Sequence, residues 1–203
     1  MTAARPYHHG DLRRAVLGAA VKAITESGPA GISLRELARQ AGVSHAAPAH
    51  HFGDKAGLLT ALAAEGYDLL ADALTAAEQR TGQFLEMGVA YVRFAVEHPA
   101  HFEVMFRPDL YHADDPTVQQ ARGRADAALA RGIESVSDRR DGPDPTLVGV
   151  AAWSLVHGFA TLWLTGALPG ELDERLGDDP EAAARAVAAI LLRISQDIPE
   201  RSP

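Results

Sequence analysis

The chain has 203 residues, no cysteine and a formal net charge of −8, which together exclude disulfide frameworks, thiolate zinc centres and cysteine nucleophiles. No apolar run near the roughly 20 residues of a membrane span is evident, and Met1–Tyr7 holds no stretch suited to a signal peptide. A soluble, cytoplasmic, globular protein is expected.

The charge is unevenly spread. Residues 1–55 carry seven bases (Arg5, Arg13, Arg14, Lys22, Arg35, Arg39, Lys55) against four acids (Asp11, Glu26, Glu36, Asp54), whereas the remainder holds twelve bases against twenty-three acids. Five of the nine histidines (His8, His9, His45, His50, His51) also lie in the first segment. One end of the chain suits a polyanion and the other repels it.

Sustained period-2 runs are absent while alanine and leucine recur at helical spacing, so an all-α fold of about nine helices is expected. The first helix is predicted from about Asp11 to Thr25, with Gly28 placed to end it. Ser33-Leu34-Arg35-Glu36 has the form of a capping box opening a second helix, whose Leu34, Leu37, Ala38 and Ala41 face inward until Gly42. Gly42-Val43-Ser44 reads as a tight turn in which Ser44 caps a third helix, with Pro48 at the end of that helix's first turn. Two short helices so closely joined form a helix-turn-helix unit, whose second helix presents its N-terminal half to the major groove.

A long amphipathic helix follows from about Leu58 to Gln79, with Leu58, Leu59, Leu62, Leu69, Leu70 and Leu74 as its apolar series. Gly82 ends it, Gln83–Glu97 forms the next helix, and Pro99 opens a short one through Phe106. Residues 108–116 read as a loop and Thr117–Val136 as a polar helix, with a break over Asp138–Pro145. Thr146–Gly166, apolar almost all round, and Glu181–Asp197 complete the helices, with an acidic loop over Glu171–Pro180 between them. The expected division is 1–57 for the helix-turn-helix domain and 58–203 for a second helical domain.

With these residues in view the sequence resembles the tetracycline-repressor (TetR) family. The likeness is carried by His8-His9-Gly10-Asp11-Leu12, Ile32-Ser33-Leu34-Arg35-Glu36-Leu37-Ala38, and Gly42-Val43-Ser44 through His51-Phe52-Gly53-Asp54-Lys55 to Leu58. Trp153 through His157-Gly158 to Gly166 resembles the C-terminal domain of a subgroup known for its Trp-His-Gly residues. The resemblance implies a ligand-responsive transcriptional regulator, with repression the expected sign. It implies a homodimer paired through the last two long helices, a ligand cavity in each C-terminal domain, and double-stranded operator DNA as partner.

The resemblance also implies roles for single residues. Arg35 and Lys55 match phosphate-holding positions, and His51 matches a histidine at the DNA backbone. His45, Ala46 and Ala47 match positions that look into the groove, while Ser33 and Ser44 are candidate contacts besides their capping roles. Ala49 stands where the family usually has a tyrosine, so either His50 substitutes for that phosphate anchor or affinity is lower than usual, and His50 or His51 is expected to take part in backbone contact as a partly protonated imidazole. Tyr91, Phe94, Phe102, Phe106, Trp153, His157 and Trp163 are candidates for lining the effector cavity. His157, a polar group inside an apolar helix, must find a partner.

Other function classes fare worse. No nucleophile elbow, phosphate-cradling glycine loop, paired catalytic carboxylates or zinc helix motif is evident, so neither an enzyme nor a cofactor is expected. His98 and His101 stand three residues apart, but Pro99 starts a helix between them and no third ligand is evident, so no metal is expected either. A helical adaptor using only the apolar Thr146–Gly166 helix would leave the N-terminal constellation unexplained.

Overall fold

The computed structural model describes residues 9–137, 144–168, 174–175 and 177–196, with side chains described from residue 12 to residue 189 within those limits. Among the described residues there are nine α-helices and no strand. They are α1 His9–Ser27, α2 Leu34–Gln40, α3 Ala47–Phe52, α4 Lys55–Thr81, α5 Phe84–Glu97, α6 Pro99–Met105, α7 Pro116–Ser137, α8 Pro145–Leu164 and α9 Pro180–Gln196. Two 3-10 turns, Pro29–Gly31 and Pro108–Leu110, follow α1 and α6. Most of the expected break over Asp138–Pro145, part of the acidic loop over Glu171–Pro180, and Asp197 lie outside the described residues.

The helices form two compact units, residues 1–68 with 98–122, and residues 69–97 with 123–203. Thus α4 and α7 each contribute to both. In the first unit α1 packs against α2, α3 and α6. Its apolar face, Leu12, Val16, Leu17, Ala20 and Ile24, is buried, as are Leu37 and Ala38 of α2, Leu58, Leu59 and Leu62 of α4, and Phe102, Val104 and Met105 of α6. Each large side chain so removed from water contributes about 2 kcal/mol. Gly66 of α4 sits where a Cβ would lie 2.5 Å from the sulfur of Met105 and 3.0 Å from the Cβ of His101. In the second unit α5 packs against α8 and α9, and Val92, Phe159, Ala183 and Ala184 form a core joined by Val156, Trp163 and Val187. Ion pairs flank this packing. Arg185 of α9 grips Glu86 of α5 at 2.9 and 3.0 Å, and Arg131 of α7 grips Glu78 of α4 at 2.9–3.1 Å.

Four expectations need correction. Ser33 is the N-cap of α2, with extended backbone angles, but its hydroxyl makes no capping bond. The Glu36 carboxylate accepts from Arg39 Nε at 2.9 Å and Gln40 Nε2 at 3.1 Å instead. A charge-assisted bond to a guanidinium outcompetes a neutral backbone N–H, so the reciprocal box does not form. Ser44 does not cap α3, which starts at Ala47 with Ala46 as N-cap. Pro48 therefore lies in the first two positions of the helix, where its missing N–H costs no intrahelical bond.

The long helix starts at Lys55 rather than Leu58, because Asp54 caps it. The Asp54 Oδ1 accepts the Gly57 N–H at 2.8 Å and its carbonyl accepts the Leu58 N–H at 3.1 Å. Finally, α8 is by length and composition apolar enough to cross a membrane, contrary to the expectation from the sequence. Its glycines, alanines, serine and threonines dilute the apolar run to the eye without adding a charge.

Candidate nucleic-acid interface and polar cluster

The segment from Ser33 to Lys55 forms a helix-turn-helix whose geometry follows from its small residues. Gly42, at φ 67°, occupies the left-handed region that favours glycine and lets the chain turn sharply after α2. Val43 donates its N–H to the Ala38 carbonyl at 3.0 Å, which closes the end of α2. The Ser44 carbonyl then accepts the Ala47 N–H at 3.0 Å, so residues 44–47 make a turn that delivers the chain into α3. Pro48 is the buried anchor of α3. Ser44, His45, Ala46, Ala49 and His50 are exposed together along its start and outer side, while Ala47 is half-buried. Ser33 and Arg35 are exposed at the start of α2.

The glutamate of α2 is held to about pKa 2, first by its hydrogen bond to Arg39 and then by that to Gln40. Arg39 is therefore committed to this pair, and Arg35 is the base of α2 outside it. His51 is half-buried, with its ring centroid 5.6 Å from that of His50. It lines a cleft of about 380 Å3 with Arg13, Phe52, Asp54, Thr60 and His112 among the other lining residues. The Arg13 guanidinium lies over the Phe52 ring at 5.9 Å from its centroid, a cation–π contact between α1 and α3. Lys55, the first residue of α4, donates from Nζ to the Ala30 carbonyl at 2.7 Å and so ties α4 to the 3-10 turn after α1. The ammonium has three donors, and this bond uses one.

The candidate ligand residues fall into two groups. Phe102 and Phe106 belong to the first unit, where their rings meet edge-on at 5.2 Å and Phe106 meets Tyr67 at 6.4 Å. Tyr91, Phe94, Trp153, His157 and Trp163 belong to the second. Phe94 is buried in α5, and Trp163 packs on the α5–α8–α9 core. The remaining three form a polar cluster. Trp153 Nε1 donates to the Tyr91 hydroxyl at 3.3 Å, and that hydroxyl lies 2.9 Å from His157 Nδ1.

An indole N–H only donates, so the tyrosine oxygen accepts there, and toward Nδ1 the same hydroxyl donates or accepts according to the imidazole tautomer. Burial pushes the His157 pKa below the usual histidine value, which favours the neutral imidazole. Sequence reasoning identifies His157 as needing a partner but not which partner.

His101 is 5% exposed, with both ring nitrogens lacking hydrogen-bond partners among the described residues. Its Nε2 is 3.9 Å from a Glu65 oxygen, within ion-pair range and beyond hydrogen-bond range. The His98 and His101 rings meet edge-on at 5.7 Å. Among the described residues no group of three or more histidines and carboxylates could hold a metal ion.

Residues 16–62 match the family model described as bacterial regulatory proteins, tetR family. Residues 84–191 match the model described as tetracyclin repressor-like, C-terminal domain. A solved protein of unknown function from Rhodococcus sp. RHA1 is 33% identical over 94% of this chain and 98% of its own, with a TM-score of 0.74. PfmR, a TetR-family transcriptional regulator from Thermus thermophilus, is 23% identical over 95% of this chain and 97% of its own, with a TM-score of 0.65. NalD, the secondary repressor of the MexAB-OprM multidrug efflux pump in Pseudomonas aeruginosa, is 23% identical over 91% and 95%, with a TM-score of 0.56. Among curated proteins none matches the sequence.

Proposed function

The chain belongs to the TetR family of DNA-binding transcriptional regulators, and on that premise we propose that it is a cytoplasmic repressor, binding a palindromic operator as a homodimer and released by a small apolar effector. Residues 1–57 are the DNA-binding part and residues 58–203 the sensing and dimerisation part. The observation that carries the DNA reading is the exposed row at the start and outer side of α3, with His45 and Ala46 just before the helix and Ala49 and His50 on it, anchored by the buried Pro48. Ala46 and Ala47 admit close approach to base edges, and His45 is the group able to read them. Arg35, Lys55, His50 and His51 meet phosphates, with Ser33 and Ser44 as hydroxyl donors.

Pairing rests on α8. Leu147 is 66% exposed, Val150 54% and Leu162 44%, in a helix with no charged residue. An unpartnered apolar face of this kind needs a cover. A second copy meeting it through α8 and α9 supplies one, and the two α3 helices can then engage half-sites about one DNA turn, about 34 Å, apart.

The effector reading rests on the Trp153–Tyr91–His157 chain. An apolar ligand would lie against these aromatic residues of the second unit. Its differential affinity for a state with α4 tilted sets the limit of derepression. The deciding experiment is a gel shift with DNA flanking the protein's own gene, alongside sedimentation of the free protein. Dimers that retard a specific fragment support the reading, and monomers that retard none overturn it.

A further inference from the structure

Thr60 is one of two polar residues buried within the described core, at 5% exposure, and both capacities of its hydroxyl are used. It donates to the Ala56 carbonyl one turn back in α4 at 2.7 Å. It accepts the backbone N–H of His112 at 3.0 Å, across 52 residues of sequence. The direction is fixed, since a backbone N–H can only donate.

Residue 112 lies in the segment between α6 and α7, and Thr60 lies in the second turn of α4, just after the turn that ends α3. The His112 ring adds a second contact to the same place, with Nε2 4.0 Å from Asp54 Oδ1. That oxygen also accepts the Gly57 N–H. The α6–α7 segment thus touches both the residue that caps α4 and the first buried polar group after it.

We infer that Thr60 is a positioning residue for DNA binding. It latches the α6–α7 segment to the start of α4, and the latched segment fixes the bearing of α3. The inference rests on the reading of α3 as the recognition helix. It goes beyond that reading in giving the α6–α7 segment a direct hold on the α3–α4 turn, so that displacement of the segment loosens the recognition helix. The hydroxyl, rather than the volume of the side chain, is the working part.

The test compares Thr60→Val, which keeps the shape and deletes the hydroxyl, with Thr60→Ser, which keeps the hydroxyl. Operator affinity is measured on a fragment that the unaltered protein retards, together with amide hydrogen exchange of the full chain. Thr60→Val is expected to bind about tenfold more weakly, with faster exchange at His112, and Thr60→Ser to restore both. If Thr60→Val binds as tightly as the parent, or if Thr60→Ser fails to restore affinity, the latch is overturned while the DNA reading stands. If the unaltered protein retards no fragment, the DNA reading fails first and takes the inference with it.

Discussion

Gly57 lies so close to Phe52 that a Cβ built on it would sit 1.9 Å from the Phe52 carbonyl oxygen. The last residue of α3 and the first turn of α4 are therefore interlocked backbone to backbone, with no room for a methyl group. Gly57→Ala must push the two helices apart or distort the Asp54 cap. It is expected to lower stability by about 3 kcal/mol, the scale of severe overpacking, and to weaken operator binding. Chemical denaturation measures the first effect and a gel shift the second. A variant of parental stability would show that the turn yields without cost.

Lys55 and His45 should separate by the kind of binding they support. Lys55→Ala is expected to weaken binding to all sequences and to reduce the salt slope by about 1 per subunit. It also releases the bond to the Ala30 carbonyl, so a small stability loss accompanies it. His45→Ala is expected to alter base preference and leave the salt slope alone. Titrations against specific and scrambled fragments at several salt concentrations distinguish these outcomes. The assignment is refuted by a change of sequence preference in Lys55→Ala with an unchanged slope.

Charge on the open face of α8 should prevent pairing while sparing the fold. Leu162 is 44% exposed, so Leu162→Glu leaves its own chain's core intact but would bury a carboxylate between two copies. The expected result is a dissociation constant raised about tenfold or more by sedimentation, with an unchanged helical circular dichroism spectrum. Dimers as tight as the parent's would place the contact elsewhere.

His157 gives stability a dependence on pH whose sign is fixed by its burial. The folded-state pKa lies below the reference value of 6.5, so the unfolded chain takes up the proton first as pH falls. The contribution is full above 6.5 and is lost as pH falls from there toward the depressed folded value. Protonation also leaves Nδ1 able only to donate toward the Tyr91 hydroxyl 2.9 Å away. Urea unfolding at about pH 7.5 and about pH 5.5 should therefore show the parent losing stability relative to His157→Gln. Parallel losses in the two proteins would exclude the effect.

Much of the fold was legible in the sequence because helix ends are written in local chemistry. Gly28, Gly42, Gly82 and Gly166 all take positive φ where a helix end is expected. The boundaries that differ lie where two local signals compete. Glu36 could reach back to the N-cap or forward to Arg39, and the charged partner won. Ser44 and Pro48 both mark a helix start, and the ring of Pro48 imposed its own. What sequence reasoning could not reach were pairs joined only by packing. Tyr91 and His157 are 66 residues apart, and Thr60 and His112 are 52 apart. Neither pair is a neighbour by helical periodicity, and each depends on how whole helices come to rest. His157 was marked by its apolar surroundings, whereas Thr60, one threonine among many, carried no such mark.

The bare Cα of Gly66 has a mechanical consequence. With Met105 and His101 pressed against it, α6 rests in a notch of α4 instead of on a cushion of side chains. A shim of even one methyl group would lift it out.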